Sequence, residues 1–291
     1  MSRPKIKSVI LAILARKKSY AFLLCVLLQC SADSLSAHGN LHKEIEALSL
    51  KIQATPKNVA LWLERASLSR QHSDFDGALR DLTHARTLDS CAAEYDFLFG
   101  RVYAGARFHK SAILHLNRFL LENPEDPEAL LTRAKSLFIT QDVAGACLDY
   151  DKAIGLLENP SPGQLLEQAH AHALNPDTGT TTAIARLEEA MVRIGRIPTL
   201  QEAALQYEVQ SENYAAALKR INELIQEAPR QERWLIQKGQ VLLRANRQGE
   251  AQKCFQQVIQ LIDALPAGVR ERTLNQDLKR TAEAFLLEID N

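Results

Sequence analysis

Six alanines recur along this chain in a fixed phase. Ala78, Ala112 and Ala146 stand 34 residues apart, Ala183, Ala217 and Ala251 stand 34 apart again, and 37 residues separate the two runs. A stride of that length is one supersecondary unit, and a unit repeated in sequence buries its apolar face only by stacking on its neighbours. The local pattern within each stride is helical. In residues 93–124 a first segment carries Phe99, Gly100 and Tyr103, and a second carries Ala112, Leu116 and Phe119 at helical spacing before Pro124 ends it.

Each alanine has a large partner one turn on: Leu82, Leu116, Tyr150, Leu187, Ile221 and Phe255. Two antiparallel helices approach closely only where one side chain at the crossing is small, and a bulky residue a turn later fills the groove beside it. A small residue also recurs in the first segment of each unit, at Ala66, Gly100, Ala134, Ala171 and Gly239, with Leu205 out of pattern. An early large residue is present at Trp62, Leu130 and Leu235 and lost at Asp96, Glu167 and Gln201.

Taken together, these positions resemble the tetratricopeptide repeat (TPR). The resemblance covers about residues 41–289 and is tighter in phase than in residue identity. It implies an all-α fold, a right-handed α-solenoid superhelix of TPR-like helix-turn-helix repeats with a C-terminal capping helix. Six repeats are expected within 57–265, preceded by a half-repeat capping helix in 38–56 and followed by a solvating helix in 266–291. The last helix should place Leu274, Leu278, Phe285 and Ile289 on one stripe. The three surplus residues between Ala146 and Ala183 have two candidate homes, Asn159–Gly163 and Asn175–Gly179, of which the first is the stronger breaker.

Residues 1–37 read as a signal peptide or an N-terminal anchor. Lys5, Lys7, Arg16, Lys17 and Lys18 form a long basic region, Ala21–Leu28 is apolar but short for a bilayer span, and small residues follow. The expectation is an exported protein, periplasmic or secreted, that meets a membrane only through an uncleaved or lipidated N-terminus. Cys30 follows Gln29, a poor context for lipidation, so cleavage is the preferred reading.

Composition narrows the function. The chain has 35 basic and 35 acidic residues among 291, and aromatics make up 6%. No global field draws it to nucleic acid, and there are few rings on which bases could stack. No Gly-rich phosphate loop, G-x-S-x-G or H-E-x-x-H occurs, so the chain is read as a non-enzyme without a cofactor. Cys91, Cys147 and Cys254 are scattered and odd in number, which fits small packing residues better than a disulfide framework.

The resemblance further implies that a protein or peptide partner lies in the concave groove lined by the first helices. Counting nine positions into each first helix gives Ser67, Arg101, Lys135, His172, Gln206 and Gln240; Phe97, Leu131 and Phe138 fall on or near the same groove. Arg101, Lys135 and His172 would form a short basic stripe suited to an acidic partner. The carboxylate clamp of chaperone-binding members is not carried over, because Ser67 and Leu98 stand where Asn is wanted. A reading of a different class is an envelope metal-handling protein, with His38 as a new N-terminus chelating together with His42.

Overall fold

The computed structural model describes residues 41–89 and 92–290. The expected signal or anchor segment, Cys91, and His38 of the alternative metal site lie outside the described residues. Among those described, the secondary structure is helical throughout, with no strand.

Helix α1 spans 41–54. Six antiparallel pairs follow: α2 (Val59–Gln71) with α3 (Phe75–Leu88), α4 (Ala92–Gly105) with α5 (His109–Glu122), α6 (Pro127–Ile139) with α7 (Val143–Leu156), α8 (Pro162–Leu174) with α9 (Gly179–Ile194), α10 (Pro198–Gln210) with α11 (Tyr214–Glu227), and α12 (Glu232–Arg244) with α13 (Gln248–Asp263). The short α14 (Ala267–Arg270) and the long α15 (Thr273–Asp290) complete the series. The chain divides into two compact units, one ending at Pro124 and the next beginning at Glu125. This is the all-α architecture of a tetratricopeptide-like solenoid.

Backbone chemistry sets the turn within a pair. Ser73, Arg107, Gln141, Glu212 and Asn246 all adopt left-handed conformations, with φ of 65°, 64°, 70°, 58° and 57°. The amide after each reaches back five residues, as in Asp74 N to Ser69 O at 2.8 Å and Asp142 N to Leu137 O at 2.9 Å. That bond satisfies a carbonyl orphaned at the end of the first helix. In three turns the same residue then caps the second helix: Asp74, Asp142 and Asn213 accept from the amides of Gly77, Gly145 and Ala216.

Packing follows the alanine phase. Ala78, Ala112, Ala146, Ala183, Ala217 and Ala251 are each 0% exposed, and their large partners are buried beside them. Close approach is tightest at Gly100 and Gly239. A Cβ on Gly100 would lie 2.6 Å from Leu116 Cγ, and one on Gly239 would lie 2.5 Å from the Phe255 ring. Each buried Leu or Phe of this kind contributes about 1.5–3 kcal/mol relative to exposure. Polar links cross the pairs as well. Arg65 grips Asp81 through two bonds of 2.8 and 2.7 Å, and Arg133 grips Asp149 through two of 2.7 Å.

The fourth pair departs from the expected register. Helix α8 starts on Pro162 and α6 on Pro127, both at the first helical turn, so Ala169 rather than Ala171 matches Ala134. Only one surplus residue therefore falls before α8, and two fall between Ala169 and Ala183. The α8–α9 turn absorbs them with Gly179 at φ +63° and Asn175 bonding the Asp177 amide.

At the C-terminal end, Leu278, Phe285 and Ile289 pack on the last core, with Phe285 stacked on Phe255 at 4.9 Å. Leu274 does not share that stripe and is 66% exposed. In the first turn of α15 it is Asn275 that turns inward, accepting from Arg230 at 2.8 Å and donating to Val269 O at 2.6 Å.

Candidate partner-binding face

The first helices of the second unit lie side by side, joined by side chains that reach from one repeat to the next. Lys135 of α6 pairs with Glu167 of α8 at 3.0 Å. Phe138 of α6 faces His170 of α8 with ring centroids 5.4 Å apart. His170 Nδ1 lies 3.2 Å from the hydroxyl of Tyr207 on α10, and Glu202 of α10 pairs with Arg233 of α12 at 3.1 Å. Burial raises the Tyr207 pKa, so its hydroxyl stays protonated as a hydrogen-bonding group.

Beside this ledge a groove of about 860 Å³ opens over α8, α10 and α12. Leu205 and Val241 form a buried floor, and Leu166, Ala203 and Val209 add apolar wall. Its polar lining is dominated by primary amides: Gln206 and Gln210 from α10, Gln237 and Gln240 from α12. Residues four apart, or three apart, share a helix face, so each helix presents its two glutamines together. Arg244 stands at one margin.

The residues expected from sequence are distributed as follows. In the first unit, Phe97 is half-buried and stacked on Phe119 at 4.9 Å, and the Arg101 guanidinium lies over the Phe97 ring at 5.4 Å. In the second unit Leu131 is buried, Phe138 is half-buried, and Lys135 is exposed but already paired.

His172 is a correction. It is 3% exposed, its Nε2 lies 2.9 Å from Asp151 and its Nδ1 3.3 Å from Thr178, so it serves the α7–α8–α9 junction and not a ligand. The register shift explains this: the exposed residue in that place of the repeat is His170. Counting positions reaches Gln206 and Gln240. It does not reach Gln210, Gln237, Tyr207 or Arg244, which become neighbours only when repeats stack.

Other chemistry is sparse. Among the described residues no group of three or more His, Cys, Asp or Glu is placed to hold a metal ion, and His42 pairs with Glu46 at 3.3 Å. Cys147 and Cys254 are free, buried thiols whose pKa values are pushed up by desolvation, which disfavours the reactive thiolate.

Comparison with known proteins agrees with this geometry. Residues 97–159 match the family model described as tetratricopeptide repeat. No curated protein matches the chain in sequence. Among solved structures, a tetratricopeptide repeat protein from Parabacteroides merdae is 18% identical at a TM-score of 0.51, covering 92% of this chain and 96% of that one. The C-terminal part of a TPR-containing protein from Cytophaga hutchinsonii is 14% identical at 0.61, covering 82% and 96%. YrrB, described as a TPR protein with an unusual peptide-binding site, is 18% identical at 0.52, covering 70% and 99%. The fold class is thus that of the tetratricopeptide solenoid. Residues 97–159 carry the family's repeat by direct sequence match.

Proposed function

We propose that the protein is a non-catalytic scaffold that holds a segment of a partner protein along the first helices of its second unit. One observation carries this reading: the continuous face from the Phe138–His170–Tyr207 ledge to the groove of about 860 Å³, apolar at its floor and polar at its rim. The peptide-binding site named for YrrB, a fold relative, supports it. In the first unit, Phe97 and Arg101 offer a smaller surface of the same aromatic and cationic kind. The acidic preference expected from a stripe of Arg101, Lys135 and His172 is reduced, because Glu167 neutralises Lys135 and His172 is buried.

We further propose that the scaffold works outside the cytoplasm, on the strength of the basic and apolar segments within residues 1–37. Two experiments test the reading. A photo-crosslinking residue in place of His170 or Gln206 should capture a partner in the native compartment, while the same residue at outward-facing Gln257 should not; equal capture at Gln257 sinks the assignment of the face. Intact mass of fractionated protein should give an N-terminus between Asp33 and His38, and retention of Met1 would replace cleavage by anchoring.

A further inference from the structure

We infer that the glutamine-lined part of the groove grips the main chain of an extended peptide, and that Arg244 beside it reads one acidic side chain. This rests on the function proposed above and specifies its ligand.

The argument begins with the amides. Gln206, Gln210, Gln237 and Gln240 line one groove, and none of their four side-chain amides is engaged in a hydrogen bond within the protein among the described residues. A primary amide donates two hydrogen bonds and also accepts them. The ligand group that donates and accepts in the same way at every step is the peptide bond. A wall of one repeated amide therefore suits a repeated backbone, whereas varied side chains would call for varied partners. Gln237 adds an independent observation: its Oε1 is shut off from solvent and has no hydrogen-bond partner. An unsatisfied buried acceptor is costly, and rotating that amide toward an incoming N–H relieves the cost.

Successive side chains of an extended chain point to opposite faces. With the main chain held at the glutamines, alternate side chains would meet the apolar floor of Leu205 and Val241. Charge sets the remaining preference. Of the two charged residues lining the groove, Glu202 is taken by Arg233 at 3.1 Å, and Arg244 has no carboxylate partner among the described residues. A guanidinium in that state favours a carboxylate, which it binds through two parallel bonds. The occupant is thus a linear peptide with one Asp or Glu beside the amide-bound stretch.

The probe is a displayed library of random linear peptides panned against the full chain, followed by synthesis of an enriched sequence. We expect that peptide to bind wild type and to weaken roughly tenfold or more with the Gln206→Ala and Gln240→Ala double variant, a factor of about 1.4 kcal/mol. N-methylation of its central amides should abolish binding. Arg244→Ala should weaken it and erase the difference between the acidic residue and its amide, and added salt should weaken binding to wild type but not to Arg244→Ala. Three results overturn the inference. If the glutamine variants and N-methylation leave binding intact while Lys135→Ala with Phe138→Ala removes it, the ligand sits on the aromatic ledge, and the proposed function stands without this inference. If the helical, folded chain enriches no peptide, both fall. If a dimer forms and dissolves with Gln240→Ala, the occupant is a second copy of this chain.

Discussion

Replacing Gly239 by alanine tests the helix-crossing geometry directly, because it sets two effects of known size against each other. An exchange of Gly for Ala in a helix interior stabilises by about 1 kcal/mol through backbone entropy. At Gly239 the new Cβ would stand 2.5 Å from both Cε1 and Cζ of Phe255. That is about 1 Å short of the usual 3.5–4.0 Å carbon separation. The ring has little room to withdraw: Phe255 is 0% exposed and stacked on Phe285 of α15 at 4.9 Å. Overpacking of this kind costs about 1–3 kcal/mol, so the sum should run from near zero to about 2 kcal/mol of net loss. Gly155, late in α7, has nothing within 4 Å of its own notional Cβ. There the same exchange should stabilise by a few tenths to about 1 kcal/mol. Urea unfolding followed by Trp234 fluorescence in a Trp62→Phe background reads the core that contains Gly239, since Trp234 belongs to that cluster. A local reporter is needed because repeat arrays need not unfold in one step. If Gly239→Ala proves as stabilising as Gly155→Ala, the crossing is looser than described and the packing argument fails.

Three further predictions concern backbone, charge and pH. Gln141 holds φ +70°, so Gln141→Gly should raise the stability of the second unit by about 1 kcal/mol, read as an upward shift of its urea midpoint. Asp149→Ala should cost about 1.5–3 kcal/mol by removing the two charge-assisted bonds that Asp149 accepts from Arg133, whereas exchanging the pair as Arg133→Asp with Asp149→Arg should recover part of the loss in the same assay. Burial opposes ionisation of Glu232, but bonds from Arg230 and from backbone amides outweigh it and hold its pKa below the ordinary value. A depressed carboxylate contributes stability above the unfolded pKa, about 4.3, and loses it as pH falls through the folded value. Thermal unfolding should therefore decline in that acid range, and less steeply in Glu232→Gln; an identical acid limb in the variant would refute the assignment.

What could be read from the sequence was the part governed by single-residue sterics. Alanines at a helix crossing admit few substitutes, so their phase shows in the letters, and all six are fully buried. The register of α8 was not legible, because Ala169 and Ala171 are both alanine and either breaker could hold the surplus residues. That one ambiguity moved the groove position from His170 to His172 and with it the expected basic stripe. The pairing of Lys135 with Glu167 was hidden for another reason: the two belong to different repeats and meet only through stacking.

A deeper source of opacity lies in what each position requires. One position of the second helix, buried in four repeats and half-buried in two, carries Asp81, His115, Asp149, Arg186, Arg220 and Cys254 in the phase of the alanines. Asp81 and Asp149 meet an arginine on the preceding helix, and His115 meets Asp96 at 2.6 Å. Arg186 meets Asp151, and Arg220 is held between Glu208 and Glu188. Burial works against the Arg220 charge, yet those two carboxylates outweigh it and raise its pKa above the ordinary value. In five of the six repeats this position makes a polar bridge, and either sign of charge supplies one provided the partner is complementary, while in the last repeat Cys254 fills it as a buried thiol. Residue identity is therefore free to drift while the contact persists, so a family pattern can be firm in spacing and loose in letters. The groove is under a different demand. Its glutamine side-chain amides take part in no hydrogen bond within the protein among the described residues, so hydrogen bonding inside the fold does not dictate them, and the peptide proposed above would account for four amides on one face.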